Sequence, residues 1–315
     1  MKKLKVWRVA AAFIAVSYIS SCKEEKEMKH ADDTPDSGTI NISVDESFRP
    51  VIDEQIAMYE TSNPGTKIIA HYKPEADCLR DLFYDTSNRL VIITRRLTPR
   101  EDRFLIDSLN YIPGSSAIAS DAVAILVNAA STDTLFSMRR LQDQLRGKIN
   151  RQQTIVFDGL KATSTVRFIT DSVLKGGTFD TSVVKAALSS EEVIDYVASH
   201  ENAIGLVGIN WIGNPEIPAQ VEKLKKVKIA YVQCDVCKDT PYVKPMQQSI
   251  LTHRYPLVRG LYYIIKENYK GLGSGFTAFL RYERGQLIFR RAYLGPIMDF
   301  DVRNVKVNEK IPDDR

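Results

Sequence analysis

From residue 39 onward, apolar positions fall into short strand-like runs that alternate with helical stripes. Thr39 to Val44 alternates polar and apolar residues, the period of a strand. Asp45-Glu46-Ser47 makes a turn. Phe48, Val51, Ile52, Ile56 and Tyr59 then recur at helical spacing and stop before Asn63-Pro64-Gly65. Thr66 to His71 predicts a second strand, and Glu75 to Tyr84 a helix with Leu79, Leu82 and Phe83 inward. Leu90 to Ile93 is the continuous apolar run that buried parallel strands require. This alternation predicts an α/β fold with right-handed crossovers. Ile118 to Asn128 reads as a long strand crossing between two lobes, and Leu135 to Leu145 as a helix stopped by Gly147. Strands are expected at Thr154 to Phe157, Ala203 to Ile209 and Lys228 to Gln233. Helices are expected after Ser164 and Ser189, and over Ile217 to Lys226. Leu257 to Ile265 returns the chain to the first lobe, and Gly271 to Gly275 reads as a loop before a helix over Phe276 to Tyr282.

The first residues break this pattern. Lys2, Lys3, Lys5 and Arg8 precede an apolar run from Val9 to Ile19, too short for a comfortable transmembrane helix. It ends in Ile19-Ser20-Ser21-Cys22, which resembles a bacterial lipobox and implies cleavage before Cys22 with a lipid on its thiol. Residues 1–21 are therefore expected to be a signal peptide, and the charged stretch 22–38 a flexible tether. Of 43 basic residues, four lie in that signal, which holds no acidic residue. The remaining 39 match the 39 acidic ones, so the positive total gives no case for nucleic-acid binding. The rest is long enough for two lobes: 39–120 with 246–310, and 121–245.

Candidate chemistry is sparse. Thr163-Ser164-Thr165 opens a helix after a buried strand, where free N–H groups and the helix dipole can hold an anion or polar ligand, or where the hydroxyls simply cap. Ser47 opens another helix, and Thr94-Arg95-Arg96 lies beyond a strand's carboxyl end, where open α/β sheets bind ligands. An arginine there can fork onto an oxyanion. Gly271-Leu272-Gly273-Ser274-Gly275 lacks the ending of a phosphate loop. His30, His71, His200 and His253 lie far apart, with no Ser–His–acid order and no carboxylate at metal spacing, so neither an enzyme nor a metal or other cofactor is expected. Cys234-Asp-Val-Cys237 precedes a loop, which suits a local disulfide or two free thiols better than a redox motif; Cys78 has no obvious partner.

Several of these segments together resemble the phosphate-binding-protein (PstS-like) branch of the type II periplasmic binding proteins. Ser47-Phe48-Arg49-Pro50 is similar to that family's first ligand turn, and Thr94-Arg95-Arg96-Leu97-Thr98 with Glu101 to its strand-end turn. Ala119 to Asn128 resembles its crossover strand, Ala203 to Gly208 a glycine-bearing strand, Tyr255 to Tyr262 its return segment, and Gly285-Gln286, Tyr293 and Pro296 its C-terminal signature. The resemblance implies a two-lobe α/β fold of mixed, mostly parallel sheets with two hinge crossings. It implies a small solute, phosphate or a similar anion, held by Ser47, Phe48, Thr94, Arg95, Asp158, Ser164 and Thr165 and delivered to an ABC permease, with no chemistry on the ligand. With Cys22, it implies attachment to a membrane of the bacterial cell envelope. Three features depart from the family pattern, one of them the absent middle glycine of the third ligand turn. Asp158 stands where an arginine is usual, and Glu75-Ala76 where a serine is usual. Asp45, Glu46, Glu75 and Asp158 near one cleft would repel a dianion unless paired or protonated, with Arg95, Arg96 and Lys161 to offset them. A surface lipoprotein that kept the fold for sensing or adhesion is the alternative, a hydrolase-like enzyme a remoter one.

Overall fold

The computed structural model describes residues 33–149, 152–159, 163–238 and 241–298. The expected signal peptide, Cys22, most of the tether, Lys161 and residues 299–310 lie outside the described residues. The ordered body begins earlier than the charged composition suggests. Asp33 is buried: its carboxylate accepts the Leu272 N–H at 2.7 Å and pairs with Arg89.

The elements run β1 (Ser37–Asp45), α1 (Arg49–Ser62), β2 (Gly65–Lys73), α2 (Glu75–Tyr84), β3 (Asn88–Ile93), α3 (Pro99–Leu109), β4 (Gly114–Asn128), β5 (Leu135–Phe136) and α4 (Met138–Leu145). They continue with β6 (Thr154–Asp158), α5 (Ser164–Ser172), β7 (Val184–Ala187), α6 (Ser190–Ser199), β8 (Ala203–Gly208), α7 (Pro218–Leu224), β9 (Val227–Ile229), β10 (Tyr231–Gln233) and β11 (Tyr242–Val243). Last come α8 (Gln247–Leu251), β12 (Val258–Ile265), α9 (Leu272–Arg281), α10 (Glu283–Arg291) and β13 (Gly295–Pro296). Most expected elements are present. The predicted 135–145 helix divides into β5 and α4 at Ser137, whose hydroxyl accepts the Arg140 N–H. The predicted 228–233 strand breaks at Ala230 into β9 and β10, which join different sheets. Gly273 and Gly275 lie inside α9 rather than in a loop. Glu267 accepts the Gly273 and Ser274 N–H groups at the start of that helix and stabilises its first turn. Cys234 and Cys237 are joined in a disulfide, and Cys78 is a buried free thiol.

The main sheet runs β2-β1-β3-β12-β4-β8-β6-β7. β1 pairs in parallel with β2 and β3, and β6 in parallel with β7 and β8. The middle is antiparallel, with β12 beside both β3 and β4. Burial on both faces explains the continuous apolar runs. In β3, Leu90 and Ile92 enter the large core, while Val91 and Ile93 enter a second core with Leu79, Leu82 and Leu105. β4 changes neighbours along its length. Residues up to Ala122 pair with β12, and Val123 to Val127 pair with β8. That change of partner, just past Asp121, is where the polar centre of the molecule lies.

Candidate functional site

Two strand ends and two positions within the sheet deliver polar groups to this centre. β1 ends at Asp45, and a single tight turn, Glu46–Phe48, follows before α1. The turn is fixed by the Asp45 carboxylate, which accepts the Ser47 N–H at 3.0 Å. β6 ends at Asp158. The next residue, Gly159, has φ +91°, a conformation that side-chain-bearing residues rarely adopt. Thr163 then caps α5, and so places Ser164 and Thr165 in its first turn. From the sheet itself come Asp121 on β4 and Arg259 on β12, directly opposed in the antiparallel register.

The side chains meet in the interior. Ser47 Oγ donates to Asp158 Oδ2 at 3.2 Å and lies 3.3 Å from Ser164 Oγ. Ser190, at the start of α6, donates to the same Asp158 oxygen at 3.2 Å. Arg259 is 4% exposed. Its Nε donates to Asp121 Oδ2 at 2.8 Å and its Nη1 to Ser164 Oγ at 2.9 Å and Thr165 Oγ1 at 3.4 Å. The guanidinium lies over the Phe48 ring, 5.2 Å from its centre. The Ser47 carbonyl accepts from Asn210 Nδ2 and Trp211 Nε1, both at 2.9 Å. Five buried atoms of this cluster keep no partner: one donor, Arg259 Nη2, and four acceptors, Asp158 Oδ1, Asp45 Oδ2, Asp121 Oδ1 and Asn210 Oδ1. Unpartnered buried groups cost stability unless a guest satisfies them.

The electrostatics follow from burial. Asp158 is pushed up to about 7, first by burial and then by the charges of Asp45 and Glu46, with Arg259 pulling the other way. Burial, then the Glu75 charge, raises Asp45 to about 6. The acidic surplus foreseen in the sequence is therefore relieved by protons as well as by arginine.

Five of the seven expected site residues meet here: Ser47, Phe48, Asp158, Ser164 and Thr165. Thr94 is buried in an adjoining cluster, where its N–H and hydroxyl donate to Glu75. Arg95 makes no hydrogen bond to a residue of either cluster, although the Glu75 charge acts on it. It forks onto Glu101, with Nη1 and Nη2 each 2.7 Å from a carboxylate oxygen. In this structure its fork is taken by the internal pair, which holds the Glu101 carboxyl down at about 2. Glu101 also closes the capping box of α3 with Thr98. Arg95→Ala is accordingly expected to cost about 0.5–1 kcal/mol of stability, read from urea unfolding, and to leave guest affinity within twofold. The sequence reading missed Arg259, Asp121, Ser190 and Arg167 as site groups.

The sequence model of one family, the PBP superfamily domain, matches residues 30–283. The chain belongs to the PBP superfamily. Its mixed α/β fold, built on a curled, mostly parallel sheet, matches solved periplasmic binding protein type II structures of low identity. A Clostridium perfringens ABC-transporter substrate-binding protein solved with bound phosphate superposes with a TM-score of 0.66 at 18% identity, covering 83% of this chain and 100% of that one. An ABC-type phosphate transport receptor from Vibrio cholerae gives 0.59 at 18% identity, over 81% of this chain and 99% of the receptor. PstS from Borrelia burgdorferi gives 0.52 at 18% identity, over 84% and 100%. No curated protein sequence matches this PBP-superfamily chain.

Proposed function

We propose that this chain is the solute-binding protein of an ABC importer, anchored through lipid on Cys22, and that its guest is phosphate or a similar small oxyanion still carrying a proton. The observation that carries the reading is the pairing of opposite unmet needs in one buried cluster. Arg259 Nη2 has a hydrogen to give, and Asp158 Oδ1 has a lone pair to fill. A protonated oxyanion meets both at once, taking the guanidinium's bond with one oxygen and giving its O–H to the carboxylate. Sulfate, with no proton to give, would set its charge against the ionised Asp158 above pH 7. The similarity to a substrate-binding protein solved with bound phosphate and to a phosphate transport receptor supports this choice.

Ser47 lies on the β1 side of the sheet, and Asp158, Ser164 and Ser190 on the β6 side. Ser47, Ser164 and Ser190 are fully buried. Entry of a guest therefore requires the two sides to part, and β4 and β12, which cross between them, are the proposed hinges. The guest is handed on unchanged, and no catalytic step is assigned to any residue.

A thermal-shift series at pH 8, where Asp158 is ionised and phosphate still carries a proton, tests the reading. A ligand that binds only the folded state must raise the melting midpoint. Phosphate is expected to raise it in a saturable manner, while sulfate at equal ionic strength, nucleotides and sugars leave it unchanged. No shift with any of them would favour the sensing or adhesion scaffold over transport.

A further inference from the structure

Beside the site lies a second polar cluster that is already full. Glu75 opens α2 with its side chain 3% exposed. Its Oε2 accepts the Thr94 N–H at 2.8 Å and the Thr94 hydroxyl at 2.6 Å. Arg167, on α5, donates from Nε to Oε1 at 2.5 Å and from Nη2 to Oε2 at 3.4 Å, and Nη2 also reaches Thr94 Oγ1 at 2.7 Å. A backbone N–H, a hydroxyl and a guanidinium fork, drawn from two different segments, thus converge on two carboxylate oxygens. These are the donors an external oxyanion needs. The cluster adjoins the candidate site, because the Glu75 charge acts directly on Asp45. Burial works against ionisation of Glu75, yet the bonds from Arg167 and Thr94 hold its carboxyl below the ordinary range.

We propose that Glu75 is a specificity-determining residue whose carboxylate occupies an oxyanion site built by Thr94 and Arg167, and so withholds those donors from the guest. The guest is then met by one guanidinium, that of Arg259, beside the hydroxyls of Ser47 and Ser164, which restricts it to low charge. Removing the carboxylate should expose a ready-made anion site. This inference deepens the proposed binding role, but its test does not need the natural guest.

The test is a calorimetric titration of the wild-type chain and of Glu75→Ala with formate and with sulfate, alongside phosphate. Formate supplies the missing carboxylate, and sulfate a permanent dianion. Glu75→Ala is expected to bind both at least tenfold more tightly than the wild type, and Glu75→Ala with Arg167→Ala to lose that gain. Equal affinities in wild type and Glu75→Ala would overturn the proposal. Should Glu75→Ala fail to fold, Glu75→Ser still empties the site while keeping a hydroxyl at the helix start. It is expected to gain sulfate affinity at least tenfold, and sulfate binding no tighter than wild type would overturn the proposal there too. The phosphate arm separates the two readings. Phosphate binding without the formate or sulfate gain sinks only the role of Glu75. The gain without phosphate binding to the wild type sinks only phosphate as the guest.

Discussion

Replacing Arg259 with methionine is expected to destabilise the fold by about 3–5 kcal/mol, because it strands Asp121 as an unpaired charge in the interior. Asp121 is fully buried, and its partner guanidinium is the group bonded to it at 2.8 Å. Such a loss is a large share of the 5–15 kcal/mol that holds a typical domain together. The cause can be separated from lost packing. Methionine keeps the stem, so the greater part of the cost lies in the orphaned carboxylate. Asp121→Asn combined with Arg259→Met should therefore be more stable than Arg259→Met alone, with urea midpoints as the readout. If the double variant is less stable than the single one, the pair is not the seat of the effect. Guest binding should be lost in both, since Arg259 supplies the donor that meets the guest.

The second large effect is on pH dependence. Asp158 is raised from 3.8 to about 7 in the folded chain. Below pH 4 both folded and unfolded forms carry the proton. Between 4 and 7 the unfolded chain has released it and the folded chain keeps it, so stability falls as pH rises; above 7 the loss is complete. At 1.36 kcal/mol per unit, the shift corresponds to at most about 4 kcal/mol across this window. Asp45, raised to about 6, adds a slope of the same sign that ends nearer 6. Asp158→Asn should leave the Asp45 part of the slope, remove the rest, and be more stable than wild type at pH 8 without guest. Urea unfolding at pH 5, 6, 7 and 8 reads this directly. An unchanged slope in the variant would mean that Asp158 ionises freely in the fold.

The sequence made the strands and helices around the site legible because their hydrophobic periods are strong. Ser47 and Ser164 were also readable, each as a hydroxyl at a helix start following a strand. What escaped was the pairing of charges from distant segments. Arg259 lies within the apolar segment Leu257 to Ile265, and Asp121 within the apolar strand 118–128. A single charge in each of two buried runs was the available signal that they meet, since a buried charge must be paired. Arg95 misled for the converse reason. A basic residue at a strand end is equally served by a carboxylate six positions on, and the Thr98–Glu101 spacing that announces α3 also placed that carboxylate. Which side of Glu75 its carboxylate faces is set by the approach of α5 to α2, a tertiary fact that no local pattern encodes.

The most direct test is a crystal structure of the chain grown with phosphate at pH 8, where Asp158 is ionised. The account predicts phosphate in the interior within hydrogen-bond reach of Ser47, Ser164 and Arg259 Nη2, with one oxygen against Asp158 Oδ1. Phosphate found only at the surface, with the Arg259 and Asp158 atoms still unpartnered, would contradict it.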